Sequence, residues 1–476
     1  MSLRTRTARA LRWSAGARLV SQLASWAVTL IVIRLLTPED YGLMAMTMVA
    51  VALAQRFSDF GFEAAIVRAP RLDVDAVRAN FALSIALNAA LFVLVVAVAP
   101  LASWYFGEDL TWYIRTVALI FLFAPFGMVY EALLIRAFDL RRQALIGEGC
   151  RQLASLASLA LALAGAGVWA LVAGPVVAAA SRAVAFSALS PERHPPSWAP
   201  ATMRAHLRFG GFVALQNLLR WAAQQIDVLV LGRLLATPEL GGYRVAKELT
   251  ALPRTKLGQL LGQLPLAAFA RLQRRPRHLA RLLATTLAMM LRLTVPVFAA
   301  MSALAPELVL VLLGPSWGPV VPVMTFLALA MPLQLVLALC EQALNAIDRP
   351  EVATTAYAVL AATIGLTAYL AAPFGLGAIA AGVAASYVGA TLAVMIPIGR
   401  QVGFGPWRLA RVLWRPVLAA AALHATVAAL RPLVEPVLPA WPTLAVLALA
   451  AAAAHAAVVG STDRPGVRAV WRYLRS

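Results

Sequence analysis

The residues of this chain that invite chemistry are charges set within or beside long apolar runs. Arg18, Arg56, Arg254 and Lys256 are the cations so placed, and Asp59, Glu63, Asp227 and Glu248 are their candidate counter-charges. A charge at the centre of a bilayer costs about 2.5–3.5 kcal/mol or more, so such residues face a cavity or a partner. Arginine offers several donors in a planar fork that matches phosphate oxygens, so cations gathered in a cavity would bind a phosphate-bearing anion. At 1.5 Å per residue, Arg56 lies about 28 Å along its helix from Thr37. Lys256 stands at the same distance from Thr237, with Arg254 two residues before it. Both halves of the chain therefore place a cation at one depth. The competing structural reading is snorkelling to the headgroups, which long basic side chains near a helix end do cheaply. For the acids, Asp59 and Glu63 are one turn apart and share a face. Ion pairing with Arg56, Lys247 or Arg292 and binding of a coupling cation both remain open.

Chemistry catalysed by the protein itself finds no comparable signal. His194, His206, His278, His424 and His455 form no HxxH or HExxH spacing, and no glycine-rich loop leads into Lys-Ser or Lys-Thr. Asp73 and Asp75 form a D-x-D, but in a short basic turn that reads as ordinary loop. Cys150 and Cys340 sit in apolar surroundings and suggest neither a disulfide framework nor a metal site. The expectation is a protein that is not an enzyme and has no catalytic residue, metal or cofactor, with coupling to Na+ or H+ left open.

Those charges are carried by a chain that cannot be a soluble globule. Of its 476 residues 62% are hydrophobic, with a mean hydropathy of +0.79, against about 45–50% apolar in soluble domains. A membrane-spanning helix needs about 20 such residues. By that measure an all-α protein of about fourteen spans is expected, centred near residues 26, 51, 91, 124, 154, 178, 219, 255, 297, 331, 361, 387, 421 and 449. The formal charge of +20 does not point to nucleic acid, because it falls between the spans. Arginine clusters follow the second, fourth, sixth, eighth and twelfth spans, while most of the alternate turns are acidic or neutral. By the positive-inside rule both termini are cytoplasmic, in a multi-pass protein of a bacterial inner membrane.

The spans are also repeated. RLLTPEDYG, from Arg34 to Gly42, returns as RLLATPELGGY from Arg233 to Tyr243. Each copy ends one helix and starts the next, with Thr37 or Thr237 as N-cap and a proline at the first helical position. GVWALVAG at Gly167 matches GLGAIAAG at Gly375, and EALLIRAFD at Glu131 matches EQALNAID at Glu341. The expected organisation is a six-helix bundle over residues 1–190, a proline-rich cytoplasmic linker over 191–204, a second six-helix bundle over 205–400, and two further helices with a basic tail over 401–476.

The run from Ser21 to Arg68, through RLLTPEDYG and SDFGFEAAIVR, resembles the opening of oligosaccharide flippases of the Wzx and teichuronic-acid exporter type. GVWALVAG and the stretch from Asp227 to Pro265 are similar to theirs as well. The resemblance implies membership of the multidrug/oligosaccharidyl-lipid/polysaccharide exporter superfamily, with two bundles around a central cavity open alternately to each side. It further implies an undecaprenyl-pyrophosphate-linked oligosaccharide as cargo, moved from the cytoplasmic to the periplasmic leaflet in O-antigen, capsule or exopolysaccharide synthesis. Membrane lipids and other polysaccharide-assembly proteins are the partners it implies. Related lipid II flippases use cavity arginines on helices 1, 2 and 8, to which Arg18, Arg56 and Arg254 correspond by location. Two other readings are a cation-coupled multidrug exporter, which would favour an acid-rich cavity, and a membrane polysaccharide polymerase or ligase, which would need a longer outward loop than any seen here.

Overall fold

The computed structural model describes residues 25–58, 66–67, 74–137, 139–189, 195–198, 218–261, 269, 272 and 275–462, excepting the side chains at 140, 255–261, 276 and 350. Arg18, Asp59 and Glu63 lie outside the described residues, as does the side chain of Lys256. Among the described residues regular structure is helical, without strands.

In the first half the helices are α1 (Ser25–Leu35), α2 (Pro38–Ser58), α3 (Val74–Phe106), α4 (Thr111–Arg136), α5 (Leu140–Leu163) and α6 (Val168–Leu189). They are followed by α7 (218–234), α8 (Thr237–Leu261) and α9 (Pro276–Ala303). A two-turn helix, Ala305–Leu312, and a 3-10 turn, Pro315–Val320, lead into α10 (Val321–Ala346). The last four are α11 (Pro350–Ala371), α12 (Leu376–Val402), α13 (Pro406–Val434) and α14 (Ala440–Thr462). Every span centre expected from the sequence falls within one of these helices. Among the described residues nine helices are long and apolar enough to cross a membrane. α8 is not one of them, and it carries Glu239, Arg244, Lys247, Glu248, Arg254 and Lys256, so its charges need partners or a polar space.

The chain divides into two compact units that meet at Trp221 and Ala222, downstream of the proline-rich linker. Within the first, α2 packs on α3 and α4, α3 on α4, α4 on α5 and α6, and α5 on α6. Within the second, α8 to α12 form the same six pairings in the same order. The repeat in the sequence is thus a repeat of packing.

Its glycines show how the motif builds that packing. A Cβ at Gly174 would lie 2.8 Å from Ser158 Oγ on α5, and one at Gly382 would lie 3.1 Å from Thr367 Cβ on α11. The last glycine of each G-x-x-x-x-x-x-G stretch therefore lets α6 approach α5, and α12 approach α11, more closely than a side chain permits. The matched glutamates are equivalent too. Gln143 Nε2 on α5 donates to Glu131 at 2.8 Å, and Tyr357 Oη on α11 donates to Glu341 at 2.8 Å.

The two hairpins differ at their caps. Thr37 N–H and Oγ1–H both donate to Asp40 Oδ2, at 2.9 and 2.8 Å, and Asp40 N–H returns to Thr37 Oγ1 at 3.3 Å. This reciprocal box fixes Thr37 as the N-cap of α2. In the second copy Leu240 replaces Asp40, and its N–H donates to the carbonyl of Ala236 at 3.1 Å. The N-cap is consequently Ala236 and α8 starts at Thr237, which corrects the expectation that Thr237 caps its helix as Thr37 does.

α13 and α14 belong to the second unit. Leu423 and Val427 of α13 and Leu447 and Ala451 of α14 share an apolar cluster with Ala299 and Ala303 of α9. Arg431 Nε donates to Glu307 Oε1 at 2.7 Å, and its Nη2 to the Ala303 carbonyl at 2.6 Å. The ends of the unit differ in environment. Of the apolar window ending in α10, 67% is enclosed by protein, against 17% for those of α11, α13 and α14, which leaves the latter three mostly to lipid.

Candidate functional site

In the first unit α2, α4 and α6 enclose a cavity of about 550 Å³. Its wall carries Gln55 and Arg56 at the end of α2, Phe121, Met128 and Glu131 from α4, and Arg182 from α6. Helical periodicity sets this arrangement: Pro175, Ala179 and Arg182 recur at i, i+4 and i+7 on α6 and reach the cavity together.

The two arginines are held differently. Arg182 Nη2 pairs with Glu131 Oε2 and its guanidinium lies 5.4 Å from the Phe186 ring centre, which leaves Gln143 to satisfy Glu131 Oε1 at 2.8 Å. Arg56 is exposed to the cavity and makes no ion pair with any described residue. Among the described residues the space carries two cations against one carboxylate, and the Arg56 guanidinium has no carboxylate partner there, which is the equipment for binding an oxyanion. Arg182 was absent from the sequence-based candidates although the same criterion, a charge within an apolar span, identifies it.

The second unit assembles its charges on α7 and α8. Asp227 is buried, with 2% of its surface exposed. It accepts Lys247 Nζ–H at 2.8 and 2.7 Å through its two oxygens, Tyr243 Oη–H at 2.6 Å and the Val228 N–H at 2.8 Å. Lys247 also donates to the Gln224 carbonyl. One turn away, Arg244 pairs with Glu248 at 2.6 Å and reaches Gln225 Oε1 at 3.3 Å. Asp227 and Glu248 are therefore partnered carboxylates. Arg254 lies two turns beyond Lys247 on the same face of α8, and its Nε is buried without a hydrogen-bond partner among the described residues. Position 256 is about 200° round the helix from position 254.

Among the described residues no group of three or more histidine, cysteine, aspartate and glutamate side chains converges as a metal site would require. The free cysteines Cys150 and Cys340 are both buried.

The sequence profile of the family described as polysaccharide biosynthesis protein matches residues 31–322, which takes in the turn between α1 and α2, Arg56, the stretch from Gly167 to Gly174 and the whole of α7 and α8. The chain belongs to that family. It is 24% identical over 334 residues to the lipopolysaccharide biosynthesis protein WzxC of Escherichia coli strain K12, a match covering 69% of this chain and 67% of that one. It is 28% identical over 306 residues to the succinoglycan biosynthesis transport protein ExoT of Rhizobium meliloti strain 1021, covering 63% and 61% respectively. Its fold is that of the lipid II flippase MurJ in an inward closed conformation, with a TM-score of 0.74 over 94% of this chain and 99% of that chain at 10% identity. As a member of this family the protein is a multi-pass membrane protein of polysaccharide biosynthesis.

Proposed function

We propose that this protein is a flippase that carries an undecaprenyl-pyrophosphate-linked oligosaccharide from the cytoplasmic to the periplasmic leaflet of a bacterial inner membrane by alternating access. The observation that carries the reading is the cavity of the first unit, where Arg56 stands without an ion-pair partner among the described residues beside the Arg182–Glu131 pair. A pyrophosphate brings its charge into a low-dielectric space only if that space supplies cations and donors in return. A volume of about 550 Å³ is of the order that takes a headgroup rather than a whole glycan. Arg254, whose Nε is buried without a hydrogen-bond partner among the described residues, is the corresponding anion ligand in the second unit. Arg18 and Lys256 support these two from the positions that the sequence gives them.

The names of the relatives agree with this class of cargo: lipopolysaccharide for WzxC and succinoglycan transport for ExoT. A multidrug exporter for cations would instead need free carboxylates on its path. Among the described candidates Glu131, Asp227 and Glu248 are each engaged by a cation. In the proposed topology both termini and the linker at 191–204 are cytoplasmic, and other polysaccharide-assembly proteins supply and remove the cargo. The energy comes from the membrane potential, an ion gradient of Na+ or H+, or removal of product outside. The test is a flipping or complementation assay of Arg56→Ala and Arg254→Ala with membrane levels measured in parallel.

A further inference from the structure

The Lys247–Asp227 pair is costly where it stands. Lys247 lies ten residues into α8 by sequence, about 15 Å from the helix start, a rise equal to half the thickness of a hydrocarbon core of about 30 Å. Asp227 is 3% exposed at its side chain and Lys247 22%. Taking both charges out of water costs free energy that their attraction repays only in part, so a buried pair is weak evidence for a role in stability.

The internal repeat offers a direct comparison. Aligned on Arg34 and Arg233, and on Thr37 and Thr237, the positions of Asp227, Tyr243 and Lys247 are Val28, Leu43 and Thr47 in the first half. Thr47 is buried and donates its hydroxyl to the Leu43 carbonyl of its own helix at 2.8 Å. The same hairpin is thus built once with no charge at these three positions, so an ion pair there is not a requirement of the hairpin itself.

Lys247 also stands in a series. Arg244, Lys247 and Arg254 follow one another along α8, spaced about 4.5 and 10.5 Å apart along the axis. The first two are each guarded by a carboxylate, and the third pairs with none among the described residues. An anion held at Arg254 would find its next cation at Lys247.

We propose that Lys247 is the mid-membrane station for the substrate's pyrophosphate, kept neutral by Asp227 when the path is empty and transferred from Asp227 to the phosphate oxygens as the headgroup passes. This rests on the flippase reading and adds to it a residue, a position and an exchange of hydrogen bonds. Asp227 is a positioning residue here: Tyr243 Oη–H and the Val228 N–H continue to satisfy it when the ammonium leaves. The step makes and breaks no covalent bond.

Two measurements decide it. Lys247 and Lys256 are the only lysines in the chain, so lysine-selective 15N labelling gives two side-chain resonances in the full protein in nanodiscs. Undecaprenyl pyrophosphate should shift the Lys247 signal, and undecaprenol, which has the same chain without phosphate, should leave it in place. A Lys247 signal unmoved by saturating undecaprenyl pyrophosphate would overturn the proposal. The second measurement exchanges the charges, Lys247→Asp with Asp227→Lys. A purely structural pair is restored by the exchange and transport returns. If α8 must present the cation, the exchanged protein keeps its membrane level and its Tm but binds undecaprenyl pyrophosphate about tenfold or more weakly and does not transport. Wild-type transport by the exchanged protein would refute the station. Should it fail to accumulate, the wild-type resonance is decisive by itself. Loss of transport in Arg254→Ala alongside a functional exchange would remove this inference and leave the flippase reading standing, whereas normal transport in Arg56→Ala and Arg254→Ala would remove the reading itself.

Discussion

Arg182 of α6 and Glu131 of α4 form an ion pair in the wall of the cavity that Arg56 also lines. Their side chains are 36% and 13% exposed, so the carboxylate is the more enclosed partner. Removing only the arginine leaves that carboxylate short of a counter-charge. Arg182→Ala should lower stability by about 1–3 kcal/mol, discounted from the cost of breaking a fully buried pair because the guanidinium is partly solvated. Replacing both, Arg182→Met with Glu131→Leu, should recover most of the loss. Thermal unfolding in detergent across the four proteins checks the coupling; additive effects would mean that the pair does not hold α4 to α6.

A second expectation concerns the glycine seam. Gly174→Val would drive a side chain into Ser158, whose Oγ already lies 2.8 Å from where a Cβ would sit. Overpacking of this kind typically costs about 1–3 kcal/mol. Gly174→Ala should be milder and should be relieved by Ser158→Ala, whereas Gly174→Ala with no effect on Tm would show that α5 and α6 have room to spare.

How much of this was written in the sequence depends on the range of the interaction. The helices were legible because apolar runs and capping residues are local, and each expected span centre falls in a helix. The repeat was legible for the same reason, down to its matched glycines, whose close contacts with Ser158 and Thr367 only the packing shows. The Thr237 cap was misread because the reciprocal box needs a carboxylate three residues on, and Leu240 stands there. Asp227 had several cations within reach of its helix, and only the packing of α7 on α8 selected Lys247. Arg182 lies within an expected span but was passed over there; the cavity and the pair with Glu131 are what single it out.

α13 supplies a test of structure without transport. Arg431 joins Glu307, which is 4% exposed, to the end of α13. Arg431→Ala should reduce the amount of protein in the membrane, with a loss of about 3–5 kcal/mol expected for a buried carboxylate left alone. The protein that does insert should transport at the wild-type rate per molecule. A normal membrane level with defective transport would place α13 on the substrate path.

The proposed topology is open to labelling. Ser197 lies in the proline-rich linker, and the two native cysteines are buried, so background reaction should be low. Ser197→Cys should react with a membrane-impermeant maleimide only after the membrane is opened, because flanking arginines keep the segment cytoplasmic. Labelling in intact cells would reverse the orientation.

The flippase reading turns on Arg56 and Arg254. Among the described residues Arg56 has no ion pair and Arg254 Nε has no hydrogen bond. The most direct measurement is outward movement of lipid-linked oligosaccharide by Arg56→Ala, Arg254→Ala and the double variant, normalised to protein in the membrane. Insertion at wild-type levels with transport lost, and only partial recovery by Arg→Lys because the fork geometry is gone, is the predicted result. Wild-type transport by the double alanine variant would contradict it.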